Sequence, residues 1–314
     1  MSFDQFVDLA QEQVCPQGYA GTASGLATGF VDGCTVWSCR PKPSNPPKKK
    51  PAPADEARRC YMERASSAAG LELPADLRLD ATFESLVDPC WIGLDVAFEL
   101  ETPWYSKDDR PFHVLDNPVR KDRVFGVPLM AAASWKGLLR WSCRLTAGLQ
   151  GHIEKNSGKL DGWKDPDWLL HLFGNEKSEQ ERFHRGALAF YPTWFSQVGF
   201  EVINPHSRER RAGTQPIYYE VVPVGAEGTL RLLYAPLPGD EGAPADALAS
   251  LVDAVEALLT TYGFSAKRTA GWGTASVQRW TAQRTGHKAI TADSASHFKA
   301  KLQAWVTPAE AGDE

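Results

Sequence analysis

The segment from Trp91 to Glu101 alternates without interruption between apolar residues and other residues. Its apolar members occupy every second position: Ile92, Leu94, Val96, Phe98 and Leu100. Because successive side chains of a β-strand point to opposite faces, this period of two predicts a strand with one buried face. The strand is the first regular core element that the chain specifies, and the later elements are placed relative to it.

The remaining periodic segments alternate between helix and strand patterns. Helices are predicted over residues 54–69, 133–149, 168–173 and 245–262, and strands over 186–194, 216–224, 228–234 and 273–280. From residue 91 onward the order is therefore strand, helix, a strand-rich middle, strand, helix, strand. This order predicts an α+β, ferredoxin-like (RNA-recognition-motif-like) core with long insertions.

The length of 314 residues suits one large domain with insertions or two modest ones. Residues 41–53 form a Pro/Lys linker, PKPSNPPKKKPAP. We therefore predict an N-terminal extension over residues 1–75, the ferredoxin-like domain over 76–285 and a C-terminal extension over 286–314.

Neither a membrane-spanning apolar run nor a secretory leader pattern is present in the sequence, so a cytoplasmic protein with reduced cysteines is expected. Four of the six cysteines lie near the N-terminus, and their spacing does not match a CxxC knuckle: Cys15, Cys34, Cys39 and Cys60. These cysteines could be ligands of a zinc ion, but ordinary thiols are the favoured interpretation.

The stretch from Asp116 to Arg140 combines an acid, a cluster of bases and a small-residue turn. Between residues 105 and 144 there are eight Lys/Arg and four Asp/Glu, although the whole chain carries a net charge of −5. Ser134 is a candidate N-cap residue, and Lys136 and Arg140 lie four apart on one helix face. Cations beside free helix N–H groups bind anions, so a phosphate site for RNA is predicted. The alternative for Arg140 is a salt bridge that holds a loop.

Other candidates for RNA contact lie further along the chain. Lys267 and Arg268 occupy a glycine-rich loop, where either phosphate approach or simple turn geometry explains the glycines. A polar excursion over 200–216 carries further cationic candidates: His206, Arg208, Arg210 and Arg211. Trp104, Tyr105 and Trp135 are candidates for stacking on bases, with packing in the core as the alternative.

Three blocks in this order resemble the RAMP superfamily of CRISPR-associated proteins over residues 90–280. They are the turn and helix ASWKGLLR at 133–140 preceded by GVP at 126–128, the pair LFG at 172–174 and GALAF at 186–190, and the loop KRTAGWG at 267–273. The resemblance implies a ferredoxin-like fold, CRISPR RNA and target RNA as ligands, and other RAMP subunits as partners. It also implies that residues 200–216 are the family's "thumb".

The loop LDNPV at 115–119 is similar to that of type III backbone subunits, in which an Asp before Pro and Val is required to cut target RNA. The resemblance therefore implies that Asp116 is catalytic and holds Mg²⁺ together with RNA phosphate. Two features depart from the family: the turn begins MAAAS, and Trp135 replaces the usual Leu.

Three alternatives to catalysis by Asp116 stay open. Asp116 could simply cap the turn at Asn117. The segment from Asn204 to His206 is similar to the non-cutting terminal subunit of type III complexes. A metal-independent CRISPR RNA-processing endoribonuclease would instead use a histidine, such as His113 or His206.

Overall fold

The computed structural model describes residues 28–39, 52–67, 71, 73, 75, 82–109, 112–175, 184–205, 213, 216–239 and 244–306. The helices are α1 Thr28–Ser38, α2 Pro53–Ser67, α3 Ala132–Thr146, α4 Leu149–Lys155, α5 Asp167–Phe173, α6 Pro244–Ala257 and α7 Ala295–Val306. A π-helical turn, Leu258–Tyr262, continues α6. Within the described part of the chain, no helix is long and apolar enough to cross a membrane.

The strands are β1 Ile92–Leu100, β2 Leu129–Met130, β3 Leu188–Phe190, β4 Thr193–Trp194, β5 Gly199–Ile203, β6 Ile217–Val221, β7 Glu227–Tyr234, β8 Ala275–Gln283 and β9 Ile290–Ala292. The main sheet is antiparallel with the order β3-β7-β1-β8-β9. In chain order, α3 lies between β1 and β3, and α6 lies between β7 and β8. The strands β1, β3, β7 and β8 therefore have the βαββαβ topology of a ferredoxin-like fold. The predicted α+β class is confirmed.

The main core lies between this sheet and α3, α5, α6 and α7, and we use that name for it below. The alternation predicted for β1 is present, because its even-numbered residues are all buried. Phe98 on β1 contacts Trp135 and Phe264 edge to face, and Trp135 is fully buried. Residues from the predicted C-terminal extension complete the layer, because β9 pairs with β8 and Phe298 of α7 stacks on Trp280.

Two glycines allow two backbone segments to run side by side in close contact. A Cβ atom at Gly174 would lie 2.5 Å from the carbonyl oxygen of His184, and one at Gly186 would lie 2.3 Å from the carbonyl carbon of Phe173. Only glycine fits such backbone contacts, and Gly174 also has a positive φ of 77°. These are the glycines of the LFG and GALAF blocks.

Three predicted segments differ in detail from the structure. The predicted helix over 133–149 is divided, because α3 ends at Thr146 and α4 begins at Leu149 after Gly148, whose φ is 98°. The predicted strand over 186–194 is divided into β3 and β4, which pair with different partners, β7 and β2. The segment over 200–216 begins and ends in an antiparallel hairpin, β5–β6, in which Glu201 pairs with Tyr219.

A second core joins the N-terminal helices to the loop that carries Asp116, and we use that name for it below. Its buried members come from α1, α2, the loop and residues near β5: Val31, Cys34, Trp37, Ala57, Tyr61, Ala65, Leu71, Val114, Leu115, Val127 and Val198. The helices of the predicted N-terminal extension therefore pack directly against the candidate site.

Candidate RNA interface

The loop between β1 and β2 is long, but local bridges hold much of it in place. Trp104 forms an antiparallel bridge with Val222, and Lys107 forms one with Val119. A third bridge joins Lys121 to Pro128 within the loop. Long loops that hold a fixed conformation are usually functional. The loop is therefore a structured platform that presents the residues between Val114 and Val119.

A buried polar network anchors this platform to α2 and β6. The Tyr61 hydroxyl donates to Glu220 Oε1 at 2.6 Å, and the Lys121 ammonium donates to the Tyr61 oxygen at 2.9 Å and to Glu220 Oε2. The backbone N–H of Val119 also donates to Glu220 Oε2, at 2.9 Å. Since the three side chains are almost fully buried, the network is stable only while each charge keeps its partner.

Asp116 lies at the tip of the platform and points outward. Its side chain is 81% exposed, whereas its neighbours Val114 and Leu115 are buried in the second core. The next residue, Asn117, is fixed to β6, because its side-chain amide donates to Tyr218 O at 3.1 Å and its carbonyl accepts the Glu220 N–H at 3.0 Å. The structure therefore places the Asp116 carboxylate on an anchored backbone with its oxygens accessible.

Asp116 borders a cleft of about 820 Å³ between α2, the platform and the β5–β6 hairpin. The α2 wall carries both signs of charge: Asp55, Arg58, Arg59 and Glu63. Arg58 pairs with Asp116 at 3.5 Å, and Arg59 pairs with Glu63 at 3.4 Å. The opposite wall is formed by residues of the hairpin, including Ile217 and the exposed Tyr218. The cleft is open and wide enough for an extended chain with charged groups.

The described residues do not form a metal site by themselves. Nowhere in the described ranges do three His, Cys, Asp or Glu side chains come together in a way that could hold an ion. Asp116 offers one accessible carboxylate, and Mg²⁺ commonly binds one or two carboxylates while its other positions are filled by water and substrate phosphate. Asp116 therefore fits a magnesium ion that RNA phosphates would help to bind, and not an ion held by protein alone.

The N-terminal cysteines are distributed over two helices. Cys34 is buried in α1, Cys39 is exposed after its end, Cys60 is partly buried in α2, and Cys15 lies outside the described residues. Zinc binding by this set stays an untested alternative.

His113 faces the second core and not the cleft. Its Nδ1 accepts the backbone N–H of Leu115 at 3.0 Å, and its ring packs edge to face on Tyr61 with a centroid distance of 5.4 Å. These contacts shape the turn that leads to Asp116. They do not favour His113 as the general acid of a metal-independent nuclease.

The start of α3 differs from the predicted turn and cap. The helix begins at Ala132, and its N-cap is Ala131, without a side-chain cap hydrogen bond. Ser134 is therefore in the first helical turn, and the N-cap prediction for it is wrong, because the chain becomes helical two residues before it. The role of Ser134 in RNA binding stays a prediction.

Lys136 is exposed on α3 and borders a second cleft, of about 270 Å³, beside β3. Its other basic lining residues are His184 and Arg185, which precede Gly186. The close backbone contact at Gly174 and Gly186 brings these side chains next to α3. The first and second sequence blocks therefore meet here and form one cationic surface, which suits a phosphate.

Arg140 is occupied by an internal ion pair. Its guanidinium donates to Asp165 Oδ2 at 2.7 Å, and Arg144 and the Trp163 indole N–H donate to the same carboxylate. Burial alone would raise the pKa of Asp165, but the hydrogen bonds from Arg144, Arg140 and Trp163 outweigh burial and lower its pKa to about 2. The salt-bridge alternative for Arg140 is thus present, although its partner lies in the segment after α4.

The glycine-rich loop places Lys267 and Arg268 over aromatic rings. Lys267 Nζ lies 4.9 Å from the centroid of Tyr219, and the Arg268 guanidinium lies 4.9 Å from that of Trp141 on α3. The third sequence block thus lies against the first. Both cations are at least partly exposed, so each is positioned by a ring and still available to an anion.

One of the loop's glycines serves the geometry of the loop itself. Gly273 has a φ of 88°, and a Cβ atom on it would lie 2.5 Å from Ser265 N and Cβ. Ser265 in turn accepts hydrogen bonds from the backbone N–H groups of Tyr105 and Lys267. This close packing explains the glycine at 273 by turn geometry, and RNA contact by Lys267 and Arg268 stays a prediction.

The predicted stacking residues are buried. Trp104, Tyr105 and Trp135 are each no more than 3% exposed, so the prediction that they stack on bases is wrong. Trp104 donates from its indole to Phe264 O, and Trp135 donates to Thr193 Oγ1. Burial raises the pKa of Tyr105 to about 12, with smaller contributions from Tyr219, Glu220 and Asp108. All three aromatics have a structural role.

The cationic candidates between β5 and β6 in the sequence lie outside the described residues: His206, Arg208, Arg210 and Arg211. Their predicted contact with RNA stays a prediction.

Sequence reasoning missed four side chains that contact Asp116 or anchor its loop: Arg58, Tyr61, Lys121 and Glu220. Tyr61 and Glu220 are 159 residues apart, and no local pattern relates them. The one available signal was Glu220 itself, a charged residue within the apolar strand pattern YYEVV, because a buried acid requires a partner.

The model of the RAMP superfamily matches residues 87–276 of the chain. Among solved structures, a chain from the cryo-EM structure of the type III-B Cmr-beta complex bound to cognate target RNA is 16% identical, with 79% of each chain covered and a TM-score of 0.48. A chain from the crystal structure of the Csm3–Csm4 subcomplex in the type III-A CRISPR-Cas interference complex is also 16% identical. The match covers 68% of this chain and 95% of that one, with a TM-score of 0.43. No curated protein matches the chain at a significant level.

Proposed function

The chain belongs to the RAMP superfamily, and from this premise we propose that it is a CRISPR RNA-binding subunit of a type III interference ribonucleoprotein that cuts guide-paired target RNA through Asp116. Its partners in this proposal are CRISPR RNA, target RNA and other RAMP subunits, assembled in the cytoplasm. The observation that carries the proposal is the accessible carboxylate of Asp116 on an anchored loop beside a cleft of about 820 Å³.

Guide binding is assigned to the cationic side chains that the three sequence blocks bring to the surface. Lys136 lies in the small cleft beside Arg185, and Lys267 and Arg268 project from the glycine-rich loop. The flexible ammonium of Lys136 and the ring-supported cations of Lys267 and Arg268 suit contacts with a phosphate backbone. Such contacts carry no base specificity. Arg140 contributes to this surface only if its guanidinium binds a phosphate while it stays hydrogen-bonded to Asp165.

Cleavage is assigned to attack by the RNA's own 2′-hydroxyl on the adjacent phosphorus. In this step a new O–P bond forms, the P–O5′ bond breaks, the hydroxyl proton passes to the Asp116 carboxylate, and the leaving 5′-oxygen takes a proton from water. The products are a 2′,3′-cyclic phosphate and a 5′-hydroxyl. A carboxylate that is exposed on a rigid backbone suits the role of general base.

Asp116 would hold the magnesium ion, which would supply neutralisation of the charge on the RNA phosphate. The contribution of the protein itself is the fixed position of the carboxylate, which the bonds of Asn117 to β6 maintain.

Target-RNA cleavage by the guide-loaded complex tests the proposal, with Asp116→Ala compared with wild type in Mg²⁺ and in EDTA. Asp109→Ala is the matched control, because Asp109 is an exposed carboxylate of the same loop that pairs with Arg123. We expect Asp116→Ala and EDTA to remove one or more regularly spaced cuts while target binding is retained, and Asp109→Ala to leave all cuts in place. An unchanged cut pattern in Asp116→Ala would refute the catalytic assignment.

The second candidate function is a non-cutting subunit that caps the filament of RAMP subunits assembled along the guide RNA. The ion pair between Arg58 and Asp116 favours it, because a carboxylate that is neutralised within the protein can have a purely structural role. Copy number separates the two functions, since a backbone subunit repeats along the guide and a cap is present once per complex.

A further inference from the structure

We propose that Arg58 is a second catalytic residue of the Asp116 site, and that its guanidinium binds a non-bridging oxygen of the phosphate that is cut. This inference rests on the proposed function. Arg58 belongs to α2 and lies outside residues 87–276, the part of the chain that matches the family model. The site would thus be completed by a helix that the RAMP core does not contain.

The position of Arg58 follows from the buried network. Arg58 and Tyr61 are three residues apart in α2, so their side chains leave the helix on the same side. Tyr61 is fully buried and hydrogen-bonded to Glu220 at 2.6 Å. The network therefore fixes the rotation of α2 about its axis and directs Arg58 toward the platform.

The guanidinium of Arg58 makes two contacts with the platform. Its Nε donates to Val114 O at 3.4 Å, and its Nη2 lies 3.5 Å from Asp116 Oδ2. The side chain is nevertheless 46% exposed, so part of its planar donor set faces the cleft. One residue can therefore hold the loop through Nε and still offer N–H groups to an anion beside Asp116.

A fixed protein cation at this place would assist the proposed step. In the proposed step negative charge builds on the non-bridging oxygens as the 2′-oxygen attacks, and a fixed donor stabilises that charge more than it stabilises the ground state. Besides Glu220, which is paired with Lys121, three carboxylates line the same cleft and would repel a phosphate: Asp55, Glu63 and Asp116. Arg59 is paired with Glu63 on the helix surface, and Arg58 is the cation in contact with Asp116.

Single-turnover cleavage at saturating target RNA by the assembled complex tests the inference. We expect Arg58→Gln to slow cleavage roughly 10- to 100-fold, the range typical of a lost oxyanion donor or somewhat below it, with target affinity nearly unchanged. Arg58→Lys, which keeps the charge, should recover part of the rate. Arg123→Gln is the control, because it removes one positive charge from an exposed ion pair of the loop that carries Asp116. A complex with this variant should cut at the wild-type rate.

A sulfur substitution distinguishes phosphate contact from a merely structural role. Target RNA with one non-bridging oxygen of the cut phosphate replaced by sulfur should be cut more slowly by wild type. If Arg58 binds that oxygen, the sulfur penalty should shrink in Arg58→Gln for one of the two stereoisomers. An equal penalty in wild type and variant for both stereoisomers would overturn the inference, as would wild-type cleavage by Arg58→Gln.

Failure of the inference and failure of the proposed function give different results. Loss of cuts in Asp116→Ala with normal cutting by Arg58→Gln would reject Arg58 and keep Asp116. Normal cutting by both variants would reject the nuclease itself. Thermal unfolding of Arg58→Gln checks that α2 stays docked, and the Arg58→Lys variant retains the test if the glutamine variant does not fold.

Discussion

The main core and the second core are built in different ways. The main core joins regular elements of one βαββαβ unit, and its interior is apolar and aromatic, as Trp135, Phe98 and Phe264 illustrate. The second core joins two N-terminal helices to an irregular loop, and it contains a buried ion pair between Lys121 and Glu220. Irregular backbone has fewer internal hydrogen bonds to satisfy its polar groups, so side chains such as Glu220 must supply them. The fold is specified by the first region, and the position of Asp116 by the second.

The largest effect is expected from breaking the main core with Trp135→Ala. Removing a fully buried indole that donates to Thr193 should lower the free energy of unfolding by about 3–5 kcal/mol. Chemical denaturation measures this free energy. Trp141→Ala on the same helix is the control, because Trp141 is partly exposed and its replacement should lower the free energy of unfolding much less. Equal costs for the two variants would contradict the packing of α3 described above.

A somewhat smaller and more local effect is expected from Lys121→Met in the second core. This change leaves the Glu220 charge buried without its ammonium partner and should cost about 3 kcal/mol. Hydrogen exchange followed by mass spectrometry should show lost protection in α2 and residues 112–128, with β1, β7 and β8 protected as in wild type. Equal loss of protection across the main sheet would show that the two cores are one cooperative unit.

The double variant Lys121→Met/Glu220→Leu sharpens the same comparison. Replacing both members of a buried ion pair with apolar side chains restores much of the stability that the single change removes. Val119 N–H would still lose its acceptor, so the recovery should be incomplete. No recovery at all would mean that the cost of Lys121→Met has another origin.

A pH-dependent effect of about 2 kcal/mol is expected from Asp165, which ties α3 to the segment after α4. Its pKa is about 2 in the folded protein and about 4 when unfolded, so the unfolded chain takes up the proton first. The contribution is complete above about pH 4 and is lost as the pH falls toward 2. Unfolding free energy measured against pH should therefore fall less steeply in this window for Asp165→Asn. An unchanged slope in Asp165→Asn would contradict the assigned hydrogen bonds from Arg140, Arg144 and Trp163.

The smallest effect is expected from Arg123→Gln, which breaks an exposed ion pair on the platform. Exposed pairs of this kind contribute little to stability, so chemical denaturation should give nearly the wild-type free energy of unfolding. A clear loss of stability would show that the platform depends on its surface charges as well as on the buried network.

The elements of the main core could be predicted because their signals are local. The period of two in β1 and the helical period over 245–262 are set by which faces are buried, and both predictions are confirmed. The second core could not be predicted, because Lys121 lies 60 residues from Tyr61 and 99 from Glu220. Arg140 shows the same limit at the site, since its helical position was predicted correctly but Asp165, 25 residues away, determines what it binds.

The close backbone contact at Gly174 and Gly186 also fixes the distance between residues 175 and 184. Gly174 forms an antiparallel bridge with Arg185, and Asn175 and His184 exchange hydrogen bonds, so residues 175 and 184 are held next to each other. A peptide inserted between these residues would not change the distance that the domain itself must span. Because Lys136 and Arg185 lie beside this contact, a fluorophore carried there would be attached next to the proposed guide-binding surface and could report the arrival of RNA in real time.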